Sequence, residues 1–134
     1  MSSSYYSQKL IWKVIYKIWP PILRLMEFLG IHNLRDEYLL GHLATNYTKE
    51  DFAKFLSHEG FEPTILAWKN PGEILGMRKL DTAMYQYHIR LFKDQEIRCH
   101  YEYSPEAKPV GHFLGKVFNF RRDFFEKLLE RYLA

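Results

Sequence analysis

The sequence predicts an α+β fold, an antiparallel four-stranded meander packed on one face by N-terminal and C-terminal helices. Three observations predict it. Two alternating runs between residues 84 and 104 have the two-residue period of half-buried strands. Apolar residues recur at helical spacing near both ends of the chain. The length of 134 residues and the hydrophobic content of 47% fit a single folded domain over residues 1–134.

The N-terminal segment, residues 7–30, reads as an amphipathic helix that is broken at Pro20-Pro21. Its lysines, Arg24 and the proline pair argue against a transmembrane span. A signal peptide is not expected either, because no small-residue cleavage site follows an apolar run. We expect the segment to pack on the sheet. Two alternatives stay open, namely peripheral contact of residues 7–29 with an anionic membrane and homodimerisation.

The middle of the chain changes from helical to strand patterns. Residues 33–45 fit either a helix or a short strand, and the helix is slightly favoured. Thr48, followed by acidic residues, opens a clearer helix. A β-meander is then expected over residues 63–103, and a last helix over residues 119–133. The strands of the meander are predicted near residues 63–69, 73–80, 84–92 and 96–103.

Alternation also predicts the register of the central hairpin. Leu91 opposite Ile97 gives one apolar, aromatic face and one polar face, whereas a slip of one residue would mix the two. Residues 93–95 then form a three-residue loop, with Gln95 at a position that favours Gly or Asn. The predicted cross-strand pairs on the polar face are Arg90–Arg98, His88–His100 and Gln86–Glu102.

The strand before the hairpin extends this polar face. A turn at residues 81–83 would bring Arg78 beside Gln86 and Gly76 beside His88. A third arginine then joins the face, and the glycine leaves space next to a histidine.

These residues predict an anion site on an open, solvated sheet face. Two arginines directly across a ladder repel each other, and a bound anion relieves that cost. We therefore predict that Arg78, Arg90 and Arg98 bind phosphate of RNA or of a nucleotide. The corresponding chemistry would be metal-independent and of the kind that ribonucleases perform. Its candidate catalytic residues are His88, His100, Glu102 and His112.

Two other hypotheses remain. His88, His100 and His112, with Glu102 as a further candidate, are suitable zinc ligands. Arginines on the same face oppose a cation, so no cofactor is favoured and zinc is the alternative. A non-catalytic module that binds a small ligand or a protein is the other hypothesis. The sequence contains no glycine-rich phosphate loop, no His-Glu-x-x-His motif and no nucleophile elbow, so enzymatic activity is left open.

Net charge and cysteine content exclude further classes of function. A net charge of +3 is too small for nucleic-acid binding through bulk charge alone. The single cysteine, Cys99, excludes internal disulfides and cysteine-rich zinc motifs. It falls on the apolar face of its strand, so we expect an inert buried thiol, which fits a cytoplasmic location.

Overall fold

The computed structural model of the chain describes residues 38–64, 71–82, 84–104, 117–118 and 121–134. It also describes residues 14, 17–19, 21–22, 24–25 and 28–29. The elements with defined bounds are β1 (Tyr38–His42), α1 (Lys49–His58), β2 (Glu62–Pro63), β3 (Glu73–Asp81), β4 (Tyr85–Phe92), β5 (Glu96–Tyr103), β6 (Val117–Phe118) and α2 (Arg122–Leu129). Among these residues, no helix has the length and apolar character needed to cross a membrane.

The described strands form one antiparallel sheet with β4 at its centre. The order is β1-β5-β4-β3-β2, and β6 also pairs with β5. The α+β class is as predicted, but the sheet has six described strands instead of four. Residues 38–42 pair with β5, so the helix favoured there is wrong. The local pattern is ambiguous, and hydrogen bonding to a distant strand decides it. Residues 65–69 of the predicted first strand lie outside the described residues.

The predicted register of the central hairpin is confirmed. Leu91 lies opposite Ile97, and the pairing continues in step to the far end of the hairpin. The loop contains Gln95 with φ of 72°, the left-handed conformation expected at that position. A residue other than glycine adopts it at a cost of about 1–2 kcal/mol, which burial of the apolar face offsets.

The predicted pairing of β3 with β4 is wrong by two residues. Arg78 lies opposite His88, and Gly76 lies opposite Arg90. The turn includes Thr82 and Met84, because Asp81 still pairs with β4 and Thr82 takes the left-handed conformation with φ of 59°. Since side chains alternate with a period of two, this shift leaves Arg78 and Gly76 on the polar face.

The apolar face of the sheet packs against α1 and α2. Tyr87 stacks on Phe124 of α2 with ring centroids 4.0 Å apart. Cys99 is fully buried on this face, as predicted. Burial of such side chains is worth about 1.5–3 kcal/mol each and is the main stabilising contribution. The helices supply the buried residues Phe52, Leu56, Phe125 and Leu129.

The N-terminal segment is described only in part. Its backbone is helical at residues 17–19 and 21–22, on either side of Pro20. Pro20 itself lies outside the described residues. That this segment covers the sheet stays a prediction.

Candidate functional site

The polar face of β4 and β5 is buried, so the prediction of an open, solvated face is wrong for most of it. β4 is flanked by β3 and β5, and its side chains Gln86, His88 and Arg90 on this face are buried. Only Arg98 keeps a side chain that is 36% exposed. Because a buried polar group is costly unless it is paired, the contacts within this face determine its chemistry. On this face of β4 and β5, the residues with exposed fractions of 2% or less are Gln86, His88, Arg90, His100 and Glu102.

Glu102 is the centre of this buried group. Its Oε2 accepts a hydrogen bond from Nε2 of Gln86 at 2.7 Å. The same oxygen lies 2.9 Å from Nε2 of His100 and 3.4 Å from Nδ1 of His88. The register explains the convergence, because Gln86 faces Glu102 and His88 faces His100 across the ladder. We call His88, His100 and Glu102 the histidine–glutamate cluster.

The two imidazoles contact each other within the cluster. Nδ1 of His88 and Nε2 of His100 are 3.2 Å apart, and the ring planes are inclined by 68°. Burial, followed by the charge of Arg90, lowers the pKa of His88 to about 3. His88 is therefore neutral at pH 7. A neutral imidazole has a lone pair on one nitrogen, and this is the form that binds metal ions.

Arg90 forms a buried ion pair with Glu73. Nη1 of Arg90 donates to Oε1 of Glu73, whose side chain is only 5% exposed. A register shift in β3 between Glu73 and Leu75 produces this contact. The extra residue of the bulge turns the Glu73 carboxylate onto the polar face. Glu73 was not predicted as a site residue, because simple alternation assigns that position to the other face.

Arg78 and Arg98 also have carboxylate partners. Nε of Arg78 donates to Glu62 at 3.1 Å, and Nη1 donates to Oε1 of Gln86 at 3.2 Å. Nη2 of Arg98 donates to Glu96 at 2.6 Å. The opposed arginines thus have counterions within the chain, which offsets the repulsion from which an anion site was predicted.

Gly76 lies beside the histidine–glutamate cluster at a position that has no room for a side chain. A Cβ at this position would lie 2.7 Å from Oγ1 of Thr64, 2.9 Å from Oε2 of Glu73 and 3.8 Å from Nε2 of His88. Nε2 of His88 is buried and has no hydrogen-bond partner in the described part of the chain. Two oxygens therefore lie too close to this position for even a methyl group to fit without movement of its neighbours.

The structure brings together three of the four predicted catalytic residues, namely His88, His100 and Glu102. Their ligand-capable atoms lie within 4.8 Å of one another. Arg78 is linked to this group by its hydrogen bond to Gln86. Arg98 lies at a more exposed part of the same face and is paired with Glu96. His112 lies outside the described residues, so its role stays a prediction.

Comparison of the chain with protein-family models, curated proteins and solved structures gives no match.

Proposed function

We propose that this protein binds one divalent transition-metal ion through His88, His100 and Glu102, with Zn²⁺ as the first candidate. The observation that supports the proposal is the spacing of the three donor atoms. The two imidazole nitrogens and the carboxylate oxygen are separated by 3.2, 2.9 and 3.4 Å. Two imidazoles and one carboxylate are a donor set that suits Zn²⁺ or Fe²⁺.

The spacing fits a metal ion with little side-chain movement. Tetrahedral coordination with bonds of about 2.1 Å separates the ligand atoms by about 3.3–3.4 Å. The three donors already lie near these separations, so an ion would sit slightly above their plane. Gln86 donates a hydrogen bond to the ligating oxygen of Glu102 and so orients the carboxylate. Outer hydrogen bonds of this kind position metal ligands.

The charge near the cluster is compatible with a cation. The positive charge of Arg90 by itself would repel a metal ion bound on the same face of the sheet. The Glu73 carboxylate contacts Arg90 and offsets its charge. The Glu102 carboxylate then supplies the countercharge for the ion.

Complete burial favours a structural role for the metal over an open catalytic one. Catalytic zinc sites keep a coordination position that substrate or water can reach, whereas structural sites are closed. The ligands come from the two central strands β4 and β5, so an ion would hold the middle of the sheet together. Binding is then coupled to folding. His112 is the sequence-based candidate for a fourth ligand.

Phosphate or RNA binding with metal-independent chemistry stays a prediction, and its support is weaker. It depended on the repulsion between Arg90 and Arg98, and each has a carboxylate partner at Glu73 or Glu96. The three ligand atoms of the histidine–glutamate cluster give no comparable support to an anion site.

Thermal melting of the metal-free protein refolded with and without Zn²⁺ tests the proposal. Refolding is used because the cluster is fully buried and a folded chain would load slowly. At a free Zn²⁺ concentration of one hundred times Kd, binding adds about 2.7 kcal/mol to the free energy of unfolding. For a chain of this length that corresponds to an increase in Tm of roughly 10 °C. Metal analysis should find one equivalent per chain, and Co²⁺ should give the absorption spectrum of a tetrahedral site.

The decisive variant is Glu102→Gln, which keeps the side-chain size and removes the charged ligand. We expect it to lose the Zn²⁺-induced change in Tm, whatever its own Tm is. His58→Gln is the matched control, since His58 is exposed on α1, and it should respond as the wild type does. Equal Zn²⁺ responses in wild type and Glu102→Gln would reject the metal site. A response to phosphate without any response to Zn²⁺ would favour the anion hypothesis instead.

A further inference from the structure

The N-terminal segment exposes five large apolar side chains, more than the rest of the described chain does. Phe28 is 87% exposed, and only Leu39 and Met84 are exposed large hydrophobics elsewhere in the described part of the chain. Several exposed apolar residues within one segment indicate an interaction surface, whereas isolated exposed residues do not. We call the exposed residues of the segment the apolar patch, which consists of Val14 (49%), Ile18 (48%), Leu25 (55%), Phe28 (87%) and Leu29 (59%).

The residues of the apolar patch recur at helical spacing in two sets. Val14 and Ile18 are four residues apart, and Leu25 is followed by Phe28 and Leu29 after three and four residues. The backbone is helical at these positions up to Phe28, and the amide of Leu29 donates to the carbonyl of Leu25 at 3.0 Å. Residues three or four apart lie on one side of a helix. The segment therefore presents apolar faces on helical backbone.

The N-terminal segment carries a net positive charge. Residues 7–30 contain four Lys or Arg residues and one Glu, which equals the net charge of +3 of the whole chain. The remaining residues carry equal numbers of basic and acidic side chains. Lys17 and Arg24 are exposed beside the patch, and Trp19 between them is half-buried. Basic, apolar and tryptophan side chains together are typical of helices that lie at a membrane interface.

We propose that the apolar patch attaches the protein to the surface of a membrane that contains anionic lipids. Apolar side chains enter the acyl boundary, while Lys17 and Arg24 remain at the level of the phosphate groups. Charge complementarity favours this partner over a second copy of the chain. A symmetric dimer through the patch would bring two basic segments together, and like charges across an interface are unfavourable. The attachment is independent of the metal site.

Co-sedimentation of the full chain with lipid vesicles tests this proposal. We expect binding to vesicles of phosphatidylcholine with phosphatidylglycerol, much weaker binding to phosphatidylcholine alone, and weakening by salt. Each basic residue near an anionic surface contributes about a factor of five in partition coefficient. Lys17→Glu/Arg24→Glu should therefore lower the coefficient at least about 25-fold. The matched control, Lys54→Glu/Lys127→Glu, makes the same charge change at exposed sites on α1 and α2 and should have little effect.

A second pair of variants tests the apolar contribution. Phe28→Ser should lower the partition coefficient at least about tenfold, since burial of the ring is lost. Met84→Ser is the control, because Met84 is 39% exposed in the turn between β3 and β4. Both variants are at exposed positions, and unchanged melting curves would show that they fold. Equal binding to neutral and anionic vesicles would overturn the proposal. The proposal would also be overturned if the protein did not bind vesicles and instead formed a concentration-dependent dimer that Phe28→Ser abolishes.

Discussion

Replacement of Arg90 by Met should destabilise the protein strongly, whereas the same replacement of Arg98 should not. Arg90 is fully buried, and the side chain of its partner Glu73 is only 5% exposed. The side chains of Arg98 and its partner Glu96 are 36% and 22% exposed. The two arginines lie opposite each other on β4 and β5, so they are matched in residue type and in position on the ladder.

The size of the effect follows from burial. Arg90→Met leaves the Glu73 carboxylate buried without the guanidinium, and breaking a buried pair costs about 3–5 kcal/mol. The entropy of unfolding scales with chain length, so this loss lowers Tm by roughly 10–18 °C. Arg98→Met removes a partly exposed pair worth about 0.2–1 kcal/mol. Its Tm should fall by at most about 4 °C.

Circular dichroism melting and urea unfolding of the metal-free protein at pH 7 measure both changes. The variant Glu73→Gln/Arg90→Met removes both charges, and we expect it to be more stable than the sum of its single variants predicts. Equal decreases in Tm for Arg90→Met and Arg98→Met would refute the reasoning. Strict additivity of the Glu73 and Arg90 variants would also refute it, because the two side chains would then not be energetically coupled.

Three further predictions concern stability in urea, measured without metal. The folded-state pKa of His88 is about 3, below its unfolded value, so the unfolded chain binds the proton more readily and stability falls as pH drops below about 6.5. Between pH 7.5 and 5.5 this group should cost about 1.4 kcal/mol, a loss that His88→Gln should not show. Gly76→Ala should cost about 1–3 kcal/mol, because its Cβ would meet two oxygens within 2.9 Å. Gly41→Ala, whose nearest contact is a leucine methyl at 3.2 Å, should cost less, and equal losses would contradict the packing argument. Thr48→Ala should cost about 1 kcal/mol, because Thr48 and Asp51 form the capping box of α1; an unchanged midpoint would exclude that contribution.

Much of the candidate site could be predicted because it lies on one hairpin. Strict alternation gives each side chain of β4 and β5 a face, and burial of aromatic residues penalises a slip by one residue. These two constraints are enough to place His88 opposite His100 and Gln86 opposite Glu102. The anion hypothesis depended on a further assumption, that the arginines lacked partners. Glu73 reaches Arg90 only through a bulge, which alternation cannot show.

The amino-acid sequence by itself determined the α+β class, the hairpin register and the residues that share its polar face, because these follow from local periodicity. Tertiary structure decided that β1 is a strand, since its hydrogen bonds go to β5, about 60 residues away along the chain. It also decided that the polar face is buried. Alternation shows which residues share a face, but other parts of the fold determine whether water reaches it. That burial makes His88 neutral, and pairing across the ladder brings it to within 3.4 Å of the carboxylate of Glu102.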